Sequence, residues 1–191
     1  NLADVLTRRR ESYHEIPEQQ AHGHGESKTD GTASIHDIEK AARLKALPPV
    51  DAEPRAILVE RLLGEDVTAE YEPIRPWAAV PMAARVSVTR DAITAVLQGP
   101  GLEKRLQFDV AGCLDVAYTW DGAAHPHAMF APELSLVREV PVRLEPETEV
   151  WRSNITTLAR SERGFEETVQ GISLTPRWPA RLGGCSLELG G

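Results

Sequence analysis

Cysteine is nearly absent. The 191-residue chain holds two, Cys113 and Cys185, which excludes a disulfide framework and fits a reducing cytoplasm. Aromatic residues are scarce at 5%, and no apolar run approaches the roughly 20 residues of a membrane span. No signal-like apolar segment opens the chain, so no membrane partner is expected. Positive charge is in deficit: 21 Lys+Arg stand against 29 Asp+Glu, a net charge of −8. That balance argues against nucleic acid, whose phosphates need a basic face. Cofactor signatures are missing too, with no G-x-G-x-x-G, P-loop, paired C-x-x-C or G-x-S-x-G. No cofactor is expected, and the lack of a fixed-period repeat leaves a propeller or solenoid without support.

What is present is enough chain for one domain with an appendage. It opens on Asn1, already inside a helical pattern, and is read as a piece of something longer. Leu2, Val5, Leu6 and Tyr13 fit one helical face over 1–16, with Arg8-Arg9-Arg10 as a solvated surface rather than a phosphate grip. Residues 17–33 have almost nothing to bury and read as a mobile loop. His22 and His24 lie there without a third ligand nearby, so no metal site is expected. Ser34 to Asp37 carries a helix-start signal, followed by Ile35, Ile38, Ala42 and Leu47 on one face, until Pro48-Pro49 stops the helix; His36 is a surface or packing residue. The short apolar run Ala56 to Val59, with Leu62-Leu63, fits either strand or helix. Residues 1–63 are therefore taken as a helical segment, and 64–82, with Gly64, Pro73, Pro76 and Pro81, as a connector.

From about Ala83 the apolar period becomes two. Val86 and Val88 alternate with polar neighbours, as do Ile93, Ala95 and Leu97, then Leu106, Phe108 and Val110. Leu114, Val116, Tyr118 and Trp120 follow, then Val140, Val142 and Leu144, Ile172 and Leu174, and last Cys185, Leu187 and Leu189. Turn signals such as Gly99-Pro100-Gly101, Asp121-Gly122 and Gly183-Gly184 separate the runs. Strands of this kind bury one face against a second sheet, which predicts an antiparallel β-sandwich over 83–191.

Candidate chemistry is sparse. Both cysteines occupy strand positions far from histidine and read as small buried residues. Glu133 follows Phe130-Ala131-Pro132, and Glu162 and Glu166 flank Gly164-Phe165; carboxyl pairs at roughly 5 to 10 Å hydrolyse glycosides, but nothing in the spacing sets such a distance. Four of the ten Phe, Tyr and Trp residues are Trp. Trp77, Trp120, Trp151 and Trp178 are either core or flat platforms for sugar rings. Trp120, Trp151, Trp178, Glu133 and Glu166 are the carbohydrate-binding candidates. A mutarotase-like enzyme would need His125 or His127 to meet Glu133 or Glu166 in one pocket.

Several motifs in order resemble glycoside hydrolase family 57, the family of α-amylase-like enzymes and 4-α-glucanotransferases. They are Asn1-Leu2 through Tyr13-His14, Ser34-Ile35-His36-Asp37 and Glu53-Pro54-Arg55-Ala56, which look like the segment after that family's catalytic barrel. Phe130-Ala131-Pro132-Glu133-Leu134-Ser135-Leu136 resembles a short strand of its C-terminal module. Ser161 through Gly171, ending near Pro176-Arg177-Trp178, is a second match. The resemblance implies a galactose-mutarotase-like sandwich preceded by a short helical segment. It also implies α-1,4-glucan metabolism in the cytoplasm and a catalytic barrel as partner. The family's catalytic Glu and Asp lie in that barrel and match no position here, so no catalytic residue is assigned. The chain departs from the family over Gln19 to Thr32, and it stops soon after Leu189. Two other readings stay open: a stand-alone carbohydrate-binding module, and the mutarotase-like enzyme.

Overall fold

The computed structural model describes residues 6–9, 50–68, 83–161 and 164–190, with 158–161 and 164–166 described by backbone alone. The loop expected at 17–33, the helix expected over 34–48, His22, His24, His36, Trp77, Glu162 and most of the connector lie outside the described residues. Ten strands are described: β1 (Val59–Gly64), β2 (Ala83–Val88), β3 (Ala92–Gly99), β4 (Leu102–Asp109), β5 (Leu114–Trp120), β6 (Ala128–Leu136), β7 (Val142–Glu145), β8 (Glu149–Ser161), β9 (Gly164–Pro179) and β10 (Gly184–Leu189). They form a four-stranded sheet in the order β1-β6-β9-β8 and a six-stranded sheet in the order β2-β3-β4-β5-β10-β7. Every described pairing is antiparallel. The fold is the antiparallel sandwich that the alternation implies.

Alternation builds the core directly. Val116, Tyr118 and Trp120 of β5 and Cys185, Leu187 and Leu189 of β10 point inward, in register as Tyr118↔Cys185 and Val116↔Leu187. Phe130 and Leu134 of β6 and Leu174 and Trp178 of β9 face them from the four-stranded sheet. Phe130 meets Tyr118 edge-on with ring centroids 4.9 Å apart, and lies against Trp120 at 4.4 Å. Such aromatic geometry adds to the area buried. The inter-sheet layer is also bolted by charge: Lys104 Nζ of β4 donates to Glu60 Oε1 of β1 at 2.5 Å, and Tyr118 Oη donates to the same oxygen at 3.1 Å.

Two expectations about the chain before residue 83 change. Val59–Gly64 is a strand inside the four-stranded sheet, so the sandwich takes in part of the segment read as helical. Side chains are covered on both of its faces, Arg61 and Leu63 on one and Leu62 against the core on the other, and that removes the periodicity that would have distinguished it. Thr7, Arg8 and Arg9 carry no helix.

The six-stranded sheet is wider than its partner by two strands, and this overturns another expectation. Val86, Val88, Ile93 and Phe108 alternate as core residues do, yet they are 61%, 71%, 49% and 49% exposed. They lie in register across three strands, Val88↔Ile93 and Ile93↔Phe108, and continue the row of Leu114. They are on the inner face, but beyond β1 no strand of the described residues lies opposite. At about 4.8 Å per strand the overhang is about 10 Å wide.

Candidate functional site

Glu133 is the one charged residue among the five carbohydrate-binding candidates whose side chain is described. It sits on β6, a strand flanked by β1 and β9. Pro132 and Pro176 fall opposite each other between the pairs Phe130↔Trp178 and Leu134↔Leu174; neither has an N–H for the ladder, and pairing is interrupted there. Phe130 and Leu134 point into the core, so Ala131, Glu133 and Ser135 point to the outer face. Side chains from the segments 6–9 and 51–55 nevertheless cover that face. Glu133 is 6% exposed.

The burial of that carboxylate is matched by cations. Arg55 Nη1 donates to Glu133 Oε1 at 3.0 Å, Arg61 Nε to Oε2 at 3.2 Å, and Ser173 Oγ to Oε1 at 3.2 Å. Both guanidiniums are shared further. Arg61 Nη1 reaches Glu53 at 3.3 Å, while Arg55 grips Asp51 with Nε and Nη2, both at 2.8 Å. Asp51 then takes Arg8 Nη2 at 2.6 Å and the Arg8 backbone N–H at 2.8 Å. Charges thus alternate from Arg8 to Asp51, Arg55, Glu133, Arg61 and Glu53. Burial would raise the Asp51 carboxyl, but the hydrogen bonds from Arg8 and Arg55 outweigh it and hold the group below its ordinary value of 3.8. Arg8 is therefore not part of a solvated patch; its guanidinium is committed to Asp51.

The chemistry left to this cluster is small. The cavity among Asp51, Glu53, Arg55, Arg61, Glu133 and Ser135 has about 30 Å³, room for one or two waters and not for a sugar ring. Asp51, Glu53 and Glu133 are each held by an arginine, so no carboxylate of the cluster is free as a general acid or base in the described geometry. What the arrangement does is fix the covering segments to the sheet.

The other candidates do not gather around Glu133. Trp178 is 1% and Trp120 6% exposed, both inside the core. Trp178 Nε1 donates to the Pro146 carbonyl at 2.7 Å, and Trp120 Nε1 donates to the Ala180 carbonyl. Enclosed ring faces cannot stack on a sugar, so the core alternative holds for these two. Trp151 lies on the outer face of the four-stranded sheet with Leu63 and Ala131, and the Arg177 guanidinium covers it at 3.7 Å from the ring centroid. The Glu166 side chain lies outside the described residues.

The histidine and carboxylate of a mutarotase do not converge on Glu133. His127 is exposed and immediately precedes β6, so Glu133 lies about 20 Å along an extended strand from it. Cys185 is buried in the core, and burial pushes its thiol far up. Among the described residues no group of three His, Cys, Asp or Glu is placed to hold a metal. No described helix is long and apolar enough to cross a membrane.

Asp51 and Arg61 were not singled out from sequence, and Arg8 was read there as a solvated surface residue. Ion pairs separated by 43 and 72 positions leave no local spacing signal. Arg8, Glu53, Arg55 and Glu133 each fell within a motif singled out from sequence, but no motif paired one with another.

A two-sheet module whose buried charges hold its own segments together is what the fold and cluster define. The family described as Alpha-amylase/4-alpha-glucanotransferase, C-terminal, matches residues 1–139 and 133–186, and the chain belongs to it. A 4-alpha-glucanotransferase of Thermococcus kodakarensis is 27% identical over 94% of this chain and 32% of its own length. An alpha-amylase of Pyrococcus furiosus is 26% identical over 91% and 30%. The crystal structure of the Thermococcus litoralis 4-alpha-glucanotransferase shares the fold, with a TM-score of 0.57 at 17% identity over 96% of this chain and 31% of that one. The chain spans about a third of the length of these relatives.

Two outcomes follow from the cluster. Glu133→Ala leaves Arg61 and Arg55 buried without their shared anion and is expected to cost about 3–5 kcal/mol in urea unfolding; a loss below about 1 kcal/mol would contradict the pairing. Because the folded Asp51 carboxyl titrates below 3.8, its contribution is present above that pH and is lost as pH falls through the folded value. The stability gap between wild type and Asp51→Asn should therefore narrow on acidification below about pH 4, and a gap independent of pH would contradict the assignment.

Proposed function

We propose that this chain is the non-catalytic C-terminal portion of an α-1,4-glucan-acting enzyme of the glycoside hydrolase family 57 kind, working in the cytoplasm. Its role is to brace a catalytic barrel and to contact glucan. The observation that carries this reading is the overhang of the six-stranded sheet. Val86, Val88, Ile93 and Phe108 form an apolar row on an inner sheet face without a facing layer among the described residues, the kind of patch that marks a contact surface. The relatives supply an occupant of the right origin, since this chain matches about a third of their length. The locking of Glu133 and Asp51 in arginine pairs supports a structural rather than catalytic role.

Under this reading the sandwich takes in β1 as well as 83–191, and the segment before it passes between sandwich and barrel. The test is to produce the upstream region of the same gene separately and measure its association with this chain. Val86→Asp with Val88→Asp places charge on exposed positions of an edge strand, so folding should be retained. Association should weaken by about tenfold or more, while Arg152→Ala on β8 leaves it unchanged. Equal binding by the Asp variant, or no association by the wild type, would contradict the bracing role.

A further inference from the structure

A second surface has the opposite character. The outer face of the six-stranded sheet carries a groove of about 370 Å³, within the range of small-ligand sites. Its floor is made of small residues, Ala117 of β5 and Ser186 of β10, paired across the strands. In the same row Arg105 of β4 and Glu145 of β7 stand at the two ends. The neighbouring row runs Gln107, Asp115, Glu188 and Arg143 across the same four strands. Long polar side chains therefore surround a trough that exists because the central positions are small.

These charges are more loosely engaged than those on the other sheet, although Glu188 accepts a hydrogen bond from Cys113 Sγ at 3.5 Å. Arg143 approaches its cross-strand neighbour Glu188 only to 3.9 Å, with the arginine side chain 81% exposed. Arg105, Asp115 and Glu145 make no ion pair or side-chain hydrogen bond with a described residue. Around Glu133, by contrast, opposite charges close to about hydrogen-bond distance. Two guanidiniums and three carboxylates converge on the trough from both sides, so neither a polyphosphate nor a polycation finds a field of one sign. A neutral polyhydroxyl chain suits such a lining: carboxylates accept from paired hydroxyls, and guanidiniums donate to hydroxyl and ring oxygens.

We propose that the groove bounded by Arg105, Asp115, Arg143, Glu145 and Glu188 is a binding site for a neutral oligosaccharide, an α-1,4-glucan segment. The choice of an α-glucan rests on the function proposed above; the neutral polyol class rests on the groove. No aromatic residue lines it, so binding relies on hydrogen bonds in open water and is weak, on the order of 0.1–1 mM in Kd.

The test is titration of the purified chain with maltoheptaose, followed by amide NMR. Shifts should saturate and map to β4, β5, β7 and β10. Arg105→Ala with Glu145→Ala should weaken binding by about tenfold or more, Glu145→Gln should retain part of it, and Arg152→Ala should leave it unchanged. Should the double variant unfold, Asp115→Asn, exposed on the same face, gives the same readout. Absence of saturation, shifts mapping elsewhere, or preferential binding of inorganic phosphate would overturn the proposal. Cellohexaose binding as tightly as maltoheptaose would leave the polyol site standing and remove the α-glucan assignment. The outcome is independent of barrel association, so failure here and failure of the bracing role are separable.

Discussion

A carboxylate held away from water, that of Glu133, sets the terms for one side of this molecule. An ion buried alone costs several kcal/mol even after relaxation, and a strand with Glu at a covered position is tolerable only if cations arrive with the cover. They arrive from two places: Arg61 on β1 and Arg55 on the segment crossing the sheet. Arg55 brings Asp51, and Asp51 brings Arg8. One buried charge thereby ties together pieces of chain far apart in sequence. Apolar residues of similar size could cover the sheet at no greater cost, so the value of the chain of charges lies in fixing which segment covers it and in what register.

The second constraint is the unequal width of the two sheets. β1 forms the edge of the narrower one, and Glu60 on it meets Lys104 and Tyr118 of the wider sheet. That polar bridge marks where the sandwich ends. Inside it lie Phe130, Trp178 and Leu187 at almost zero exposure; outside it the same alternating pattern continues on β2 and β3 with no described residue stacked above. Burial of an apolar sheet face is the main term that holds such layers together. The face left open by the described residues is the surface on which the proposed bracing role rests.

How much of this was legible in sequence follows from the number of buried faces on each strand. β5 and β10 bury one face, so Val116, Tyr118 and Trp120, or Cys185, Leu187 and Leu189, declare themselves by alternation. β6 is buried on both faces and contains Pro132, so it shows neither alternation nor a clean apolar run; only a likeness to family motifs drew attention to it. β2 alternates faithfully, yet its residues are exposed, because alternation reports which side a residue faces and not whether anything lies opposite. The tryptophans show the same limit: Trp120 and Trp178 were readable as core or platform, with core favoured, and packing against Phe130 and its neighbours decides for the core. Partners of Glu133 were beyond reach, since ion pairs formed across the sheet follow no local period.

On the bracing role proposed above, the open inner face of β2 and β3 is the surface that contacts a catalytic barrel. Amide hydrogen exchange of the chain, alone and mixed with the separately produced upstream region, tests it most directly. Slower exchange gained at Ala83–Val88 and Ala92–Gly99 on mixing is the expected result. Unchanged exchange in both strands while the two parts demonstrably associate would contradict it.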